Sequence, residues 1–163
     1  MEYYPTLITL HIIFAGGWII SLVTDSFLKQ FISRRKGLPE EKTLIGLYLN
    51  FSNLIGIIGS IGILLTGIIM VIMNPGYGFF QMTANHWLTT KQILTVVLLI
   101  VIFVFVIPNA KKLRKSINDE ISKQESLGDE AYKNLSRAYR LNIIINVIVL
   151  INFLFAITHR FLG

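Results

Sequence analysis

The sequence predicts an all-α integral membrane four-helix bundle, with both termini outside and a cytoplasmic helical extension between helices 3 and 4. Two observations carry this prediction: the apolar residues form four long runs, and the basic residues are concentrated in two of the connections. Of the 163 residues, 53% are hydrophobic and only 15% are charged, and the mean hydropathy is +0.64. A soluble domain of this length carries far more charge, so we expect a single membrane domain over residues 1–163.

Four apolar segments are long enough to cross a bilayer, because about 20 apolar residues in a helix cover the roughly 30 Å hydrocarbon core. They lie at about 5–28, 43–73, 86–107 and 139–162. The first differs from a secretory signal, since no Lys or Arg precedes Lys29 and its apolar stretch is full length. We therefore expect it to remain as a span. An unusually apolar soluble bundle is the competing interpretation, and four uninterrupted runs disfavour it.

Positive charge predicts the orientation of these spans. Of the 15 Lys and Arg residues, five lie in 27–42 and eight in 109–140, which leaves only Lys91 and Arg160 elsewhere. Cytoplasmic connections carry the excess of basic residues in membrane proteins. Both basic connections should therefore face the cytoplasm, and both termini and the loop at 74–85 should face outward. Acidic residues are interleaved with the basic ones, so nucleic acid is not expected as a partner.

The second basic connection has helical periodicity. Leu113, Ile117 and Ile121 recur at helical spacing, Gly128 interrupts the pattern, and Ala131, Leu135 and Ala138 resume it. This pattern predicts a helical hairpin over about 109–138 that continues both spans, with a bend near Pro108. Two interpretations of the hairpin remain open: a solvated stalk and a docking surface for a partner.

The absence of cysteine limits the chemistry of any site. The chain has none, so a disulfide, a thiolate metal site and a covalently attached c-type haem are excluded. A metal would have to be bound by His, Met, carboxylate, amine or backbone groups. No Ser-His-Asp arrangement, paired carboxylates or phosphate-binding loop is visible, so hydrolase and nucleotide chemistry have no support.

Four ionisable residues converge on the outer leaflet from three different helices. Such residues within spans are rare, and they are functional candidates by default. His11 lies about six residues into helix 1, roughly 9 Å below the outer boundary at 1.5 Å per residue. His86 opens helix 3, Lys91 lies a turn and a half deeper, and His159 is near the C-terminus. His86 and His159 could be interfacial and Lys91 could snorkel, whereas His11 is too short to reach the interface and requires a buried partner.

Small and polar residues surround this level of the bundle. One stripe of helix 1 carries His11, Ala15, Trp18, Leu22 and Asp25. Helix 2 carries Gly56, Gly59, Ser60, Gly62, Thr66 and Gly67. Helix 4 carries two polar pairs, Asn142 with Asn146 and Asn152 with His159. Small residues allow close approach of a backbone to another helix or to a planar cofactor, and both interpretations remain open.

Short motifs resemble a bacterial superfamily of small membrane bundles. The run from Leu10 to Trp18 (LHIIFAGGW) resembles the opening of helix 1 in HemJ-type protoporphyrinogen oxidases, copper-resistance CopD membrane domains and related four-helix proteins. Residues 87–94 (WLTTKQIL) are similar to the tryptophan-leucine-x-x-lysine opening of helix 3 in the HemJ type. Residues 65–67 (LTG) resemble the glycine turn that ends helix 2 there. The likeness covers three of the four spans.

The resemblance implies a b-type haem bundle in the bacterial cytoplasmic membrane. His11 matches the family histidine and Lys91 the family lysine, and Trp18, Thr66 and Gly67 lie in matching motifs. The HemJ type continues after its tryptophan to a proline-arginine pair and a further histidine, and residues 19–29 hold neither feature. This departure counts against porphyrinogen oxidation as the reaction. His86 and His159 enter as candidate second axial ligands by their depth alone.

Three functions then compete. The first is a haem-b protein that transfers electrons between quinol and an outer acceptor, or oxidises a porphyrinogen-like substrate, as a membrane oxidoreductase. The second is a copper-handling protein, since Met82 and His86 combine a thioether and an imidazole that suit Cu(I). The third is an accessory membrane subunit without a cofactor. The expected partners are the lipid bilayer and either a quinone or a redox protein, in a homo-oligomer or a larger membrane complex.

Overall fold

The computed structural model describes the backbone of residues 3–122 and 126–162, and the side chains of these residues except 53 and 159–162. This part of the chain is helical and contains no strand. The helices are α1 (Tyr4–Arg34), α2 (Glu41–Met73), α3 (His86–Ile100), a π-helical segment (Val101–Val106), α4 (Ile107–Ser122) and α5 (Asp129–Leu162). The stretch from His86 to Ser122 is continuous, so four helices are long and apolar enough to cross a membrane. The predicted all-helical, four-span architecture of a multi-pass membrane protein is confirmed at this level.

All four helices are longer than a bilayer requires. They contain 31, 33, 37 and 34 residues, or about 47 to 56 Å at 1.5 Å per residue. The hydrocarbon core is only about 30 Å thick. We call the end with the α1–α2 turn and the α4–α5 connection the basic end, and the end with the 74–85 loop the histidine end.

The basic end has a core of its own, built from four helices. Its buried residues are Ile32, Ile45, Tyr48, Leu49, Ala110, Leu113, Ile117, Leu127, Ala131 and Leu135. The sequence predicted a protrusion of helices 3 and 4 alone, and the structure adds the end of α1 and the start of α2 to it. The physical reason is that two isolated helices cannot cover their apolar faces, whereas four helices can enclose Leu113 completely, at 0% exposure.

Glu41 closes the turn between α1 and α2. Its Oε2 accepts a hydrogen bond of 2.7 Å from the Gly37 N–H and one of 2.8 Å from the Tyr132 hydroxyl. Gly37 has φ +78°, a left-handed conformation that glycine adopts without strain. Because Tyr132 belongs to α5, this buried carboxylate also ties the turn to a third helix.

Pro108 is accommodated by a wider helical turn. A proline lacks the N–H that an α-helix needs, and its ring crowds the carbonyl four residues earlier. The π-helical segment 101–106 lies directly before it, and the Ile107 N–H bonds to the carbonyl of Ile102, five residues back. The helix therefore continues through the proline into α4.

The helices associate as two pairs. In the described part of the chain, α1 packs along α2, while α3, the π-helical segment and α4 pack along α5. The pairs meet through contacts of α2 with α4 and of α1 with α5, and α3 packs extensively only against α5 and the segment that follows it. A small core of Trp18, Leu98, Ile145 and Val149 lies between the pairs. Most outward side chains along the spans are exposed Ile, Leu, Val and Phe, as contact with lipid requires.

Candidate functional site

His11 is held by a buried hydroxyl from the neighbouring helix. Its Nδ1 lies 2.8 Å from Oγ1 of Thr66, a residue only 6% exposed. The Thr66 Oγ1 also lies 2.6 Å from the Gly62 carbonyl and 3.2 Å from the Ile63 carbonyl, and its single hydrogen can be donated to one of them. In that arrangement the His11 Nδ1–H donates to Oγ1, and Nε2 of the half-buried imidazole keeps a lone pair that can bind a metal.

Glycines of α2 set the distance between this histidine and α2. A Cβ placed on Gly62 would overlap the ring of Phe14, and one on Gly59 would lie 3.3 Å from the ring of Trp18. A Cβ on Gly67 would lie 3.6 Å from Cε1 of His11, an ordinary contact. Close helix packing therefore accounts for Gly59 and Gly62, and only Gly67 of the predicted small residues lies against the imidazole.

Lys91 lies on α3, which packs against α5. It is half-buried, and its Nζ lies 5.8 Å from the centroid of the Trp87 ring. Its charge is close enough to His11 to act on it electrostatically. No described carboxylate lies within ion-pair distance of the ammonium. A lysine within an apolar helix without a described counter-charge is rare in membrane proteins, and such residues are functional candidates.

Asn152 fastens α5 to α3 at the level of Lys91. Its Nδ2 donates hydrogen bonds of 3.3 Å to the Lys91 carbonyl and 3.3 Å to Oγ1 of Thr95. The sequence predicted that Asn152 lines a polar bundle interior, and the structure shows that its amide group links α5 to α3. The backbone position of Lys91 is therefore supported by a second helix.

The remaining predicted site residues do not join this group. Trp18 is 3% exposed and packs in the small core between the helix pairs. His86 is exposed at the first position of α3, and Met82 is exposed in the preceding loop and not on the helix. The side chain of His159 lies outside the described residues. The structure therefore brings His11, Thr66 and Gly67 together, with Lys91 in electrostatic range.

The described side chains contain no group of three or more His, Asp or Glu residues that could hold a metal ion. A metal bound directly by the protein would need additional ligands. An iron atom carried in a porphyrin needs only one or two axial ligands from the protein, because the macrocycle supplies the others.

A polar cluster near the basic end was not predicted from the sequence. Asp25 is 6% exposed and forms an ion pair of 2.5 Å with Lys29. Asn142 Nδ2 donates to Asp25 Oδ1 at 3.2 Å and lies 2.5 Å from the Tyr48 hydroxyl. The Tyr139 ring lies edge-on to Tyr48 at 5.3 Å, with Lys29 Nζ 5.2 Å from its centroid. We call these five residues the Asp25 cluster, and it joins α1, α2 and α5.

A weak signal for the Asp25 cluster was present in the sequence. Asp25 and Lys29 are four residues apart at the end of a span, the spacing of a helical ion pair. Asn142 was recognised as polar, but as the partner of Asn146 on its own helix. No sequence pattern predicted the contact of Tyr48 with Asn142, because a tyrosine at the edge of an apolar run is common in membrane proteins.

Comparisons with protein-family models, with curated proteins and with solved structures find no match to this chain.

Proposed function

We propose that this chain is a membrane redox protein that binds b-type haem through Nε2 of His11. The observation that carries the proposal is the Thr66 hydroxyl on Nδ1, since it leaves Nε2 available. Histidines that bind metals almost always donate the other ring N–H to a protein acceptor, which fixes the ring and its tautomer. Thr66 is positioned to do this from a different helix.

Lys91 supplies the counter-charge in this proposal. Haem carries two propionates, and a half-buried ammonium without a described carboxylate partner is suited to pair with one of them. Bound haem would supply one-electron transfer. The chain would contribute the axial imidazole of His11, its orientation by Thr66 and the positive charge of Lys91.

The short motifs shared with HemJ and CopD proteins agree with this assignment, because they contain His11, Thr66 and Lys91. The resemblance rests on these motifs alone. The geometry of His11 supports Nε2 as the ligand atom, and the resemblance implies haem as the cofactor. A second haem ligand would have to come from His86 or His159. Copper handling through Met82 and His86 ranks second, because the described side chains contain no group of three or more His, Asp or Glu residues.

We further propose that the basic end faces the cytoplasm of a bacterial cell and that both termini lie outside. The basic residues on both connections support this orientation. His11 and Lys91 would then lie in the outer leaflet of the cytoplasmic membrane. An electron donor such as quinol, or an acceptor protein on the outer side, would reach the site from there.

The test is the absorption spectrum of the purified full-length protein from haem-sufficient cells. We expect a Soret band with haem in stoichiometric amount, lost in His11→Ala. Thr66→Val keeps the size of the side chain and removes the acceptor, and we expect it to weaken haem affinity about 10- to 100-fold. A changed haem spectrum in only one of the variants His86→Ala and His159→Ala would assign the second ligand to that residue.

Three results would reject the proposal. A full Soret band in His11→Ala would remove His11 as the ligand. Protein without a Soret band but with stoichiometric copper would favour copper handling, and protein with neither would favour an accessory subunit. Folding of each variant is checked by its elution volume and helical circular dichroism, so that a lost band is not confused with a lost fold.

A further inference from the structure

A polar cavity lies between α2 and α4 at the basic end. Its volume is about 190 Å³, and its lining residues are Gly46, Leu49, Asn50, Arg114, Ile117 and Asn118. The polar part of this lining consists of one guanidinium and two amides, and no carboxylate contributes to it. The cavity therefore offers hydrogen-bond donors and one positive charge, which is the chemistry that binds a phosphate group.

Arg114 is oriented in this cavity by the opposite helix. Its Nη2 donates a hydrogen bond of 2.8 Å to Oδ1 of Asn50. A guanidinium has five N–H donors, so this bond leaves others for a ligand. The same bond uses one acceptor position of the Asn50 carbonyl oxygen and leaves the Asn50 NH₂ group as a further donor. Arg114 and Asn50 can therefore both donate to a ligand in the cavity.

The depth of the cavity matches a lipid headgroup. Asn50 lies two residues beyond Tyr48, which belongs to the Asp25 cluster at the polar edge of the spans. From there toward the histidine end, α2 exposes Leu54 and Ile58, and the π-helical segment exposes Phe103 and Val104. A polar cavity thus adjoins an apolar surface that acyl chains can cover.

We propose that this cavity binds the phosphate of an anionic phospholipid whose acyl chains lie along the exposed apolar surface of α2 and the π-helical segment. Basic cavities between transmembrane helices are known to hold anionic headgroups. The proposal is independent of haem binding, because none of its residues takes part in the His11 site.

A second cavity at the same end provides an internal comparison. It measures about 370 Å³ and is lined by Phe31, Arg35, Glu40, Thr43 and Leu44. It also contains an arginine, but the Glu40 carboxylate contributes negative charge that opposes an anion. The larger cavity is therefore expected to bind anionic lipid more weakly, and Arg35 serves as a matched control for Arg114.

The experiment measures lipid binding to the full-length protein by native mass spectrometry, with phosphatidylglycerol and phosphatidylcholine as probes. Arg114→Gln should weaken phosphatidylglycerol binding about fivefold, the effect of one basic residue at a membrane surface. Gly46→Leu should weaken it to at least the same degree by filling the cavity. A Cβ at Gly46 meets no atom within 4 Å, so the fold should tolerate this change. Arg35→Gln and the binding of phosphatidylcholine should show no change.

Equal phosphatidylglycerol binding in Arg114→Gln, Gly46→Leu and Arg35→Gln would overturn the proposal. Binding of inorganic phosphate alone separates a lipid from a soluble anion. If Arg114→Gln and Gly46→Leu weaken the binding of phosphate but not that of phosphatidylglycerol, the cavity binds free phosphate and the lipid assignment is wrong. If both variants weaken the binding of phosphatidylglycerol, the lipid assignment is supported.

Discussion

Lys91 is the residue whose role differs most between a structural and a haem-binding interpretation. It is half-buried on α3, and no described carboxylate pairs with it. A lysine that only snorkels to the headgroups also needs no carboxylate partner. Replacement of Lys91 therefore separates a snorkelling lysine from one that binds an anionic group.

We predict that Lys91→Met weakens haem binding by about 2 kcal/mol, below the 3–5 kcal/mol of a fully buried pair because Lys91 is only half-buried. It should also shift the reduction midpoint. Haem titration and redox titration of the purified variant measure both effects. Lys111→Met is the matched control, since Lys111 is exposed at the start of α4. Lys29 would be a poor control because it is paired with Asp25. Identical affinities and midpoints in all three proteins would leave Lys91 as a surface lysine.

The α1–α2 pair illustrates how small residues decide the packing of two helices. There is little hydrophobic driving force between helices in lipid, so close van der Waals contact and hydrogen bonds hold them together. Phe14 and Trp18 fill the space that Gly62 and Gly59 leave open. The same close approach brings Thr66 to His11.

Gly62→Leu should separate α1 from α2, because the added side chain overlaps the Phe14 ring. Overpacking of this kind costs about 1–3 kcal/mol. Unfolding of the detergent-solubilised protein in increasing SDS measures the loss. Gly56→Leu is the control, since a Cβ there meets no atom within 4 Å. Equal stability of the two variants would show that the contact of Phe14 with α2 does not hold the pair together.

The Asp25 cluster connects three helices near the basic end. Removal of one partner of a buried ion pair leaves an unpaired charge, which costs about 3–5 kcal/mol. We therefore expect Lys29→Met alone to destabilise the protein strongly. The double variant Asp25→Asn, Lys29→Met removes both charges and should recover most of that loss. SDS unfolding compares the variants, and a double variant as unstable as Lys29→Met would contradict the prediction.

Viewed as a whole, the molecule combines a thin membrane core with a well-packed core at the basic end. Leu113 is fully buried in the latter, whereas Leu54 is 61% exposed along a span. Leu113→Ala should cost about 2–5 kcal/mol by opening a cavity. Leu54→Ala should cost far less, because the Leu54 side chain contacts lipid or detergent and its removal opens no cavity in the protein. Similar losses in SDS unfolding would indicate that the basic end is not an independent core.

The orientation of the molecule can be tested with single cysteines, because the chain has none of its own. Cysteines at Ser33 and Ser122, both exposed at the basic end, should be protected from an impermeant maleimide in intact cells. A cysteine at Thr83, exposed in the loop of the histidine end, should react. Labelling of Ser33→Cys or Ser122→Cys in sealed cells would reverse the orientation and move the His11 site to the inner leaflet.

Hydropathy and helix length are local properties, so the amino-acid sequence was sufficient to predict four membrane-crossing helices. It was also sufficient to single out His11 and Lys91, because an ionisable side chain in an apolar run is conspicuous wherever it is. The spacing of apolar residues was likewise sufficient to predict the helices on both sides of Gly128. It did not reveal that α1 and α2 join the core at the basic end, since apolar residues of a span and of a water-soluble core look alike.

Tertiary packing decided which polar groups meet. Thr66 is 55 residues from His11, and Asn142 is 94 residues from Tyr48. Contacts over such separations depend on the relative rotation and depth of two helices. A glycine such as Gly62 determines that rotation and depth only together with the side chain that packs against it, here Phe14. The contact of His11 Nδ1 with the Thr66 hydroxyl exists only through that packing, and any preference for one tautomer of His11 comes from it.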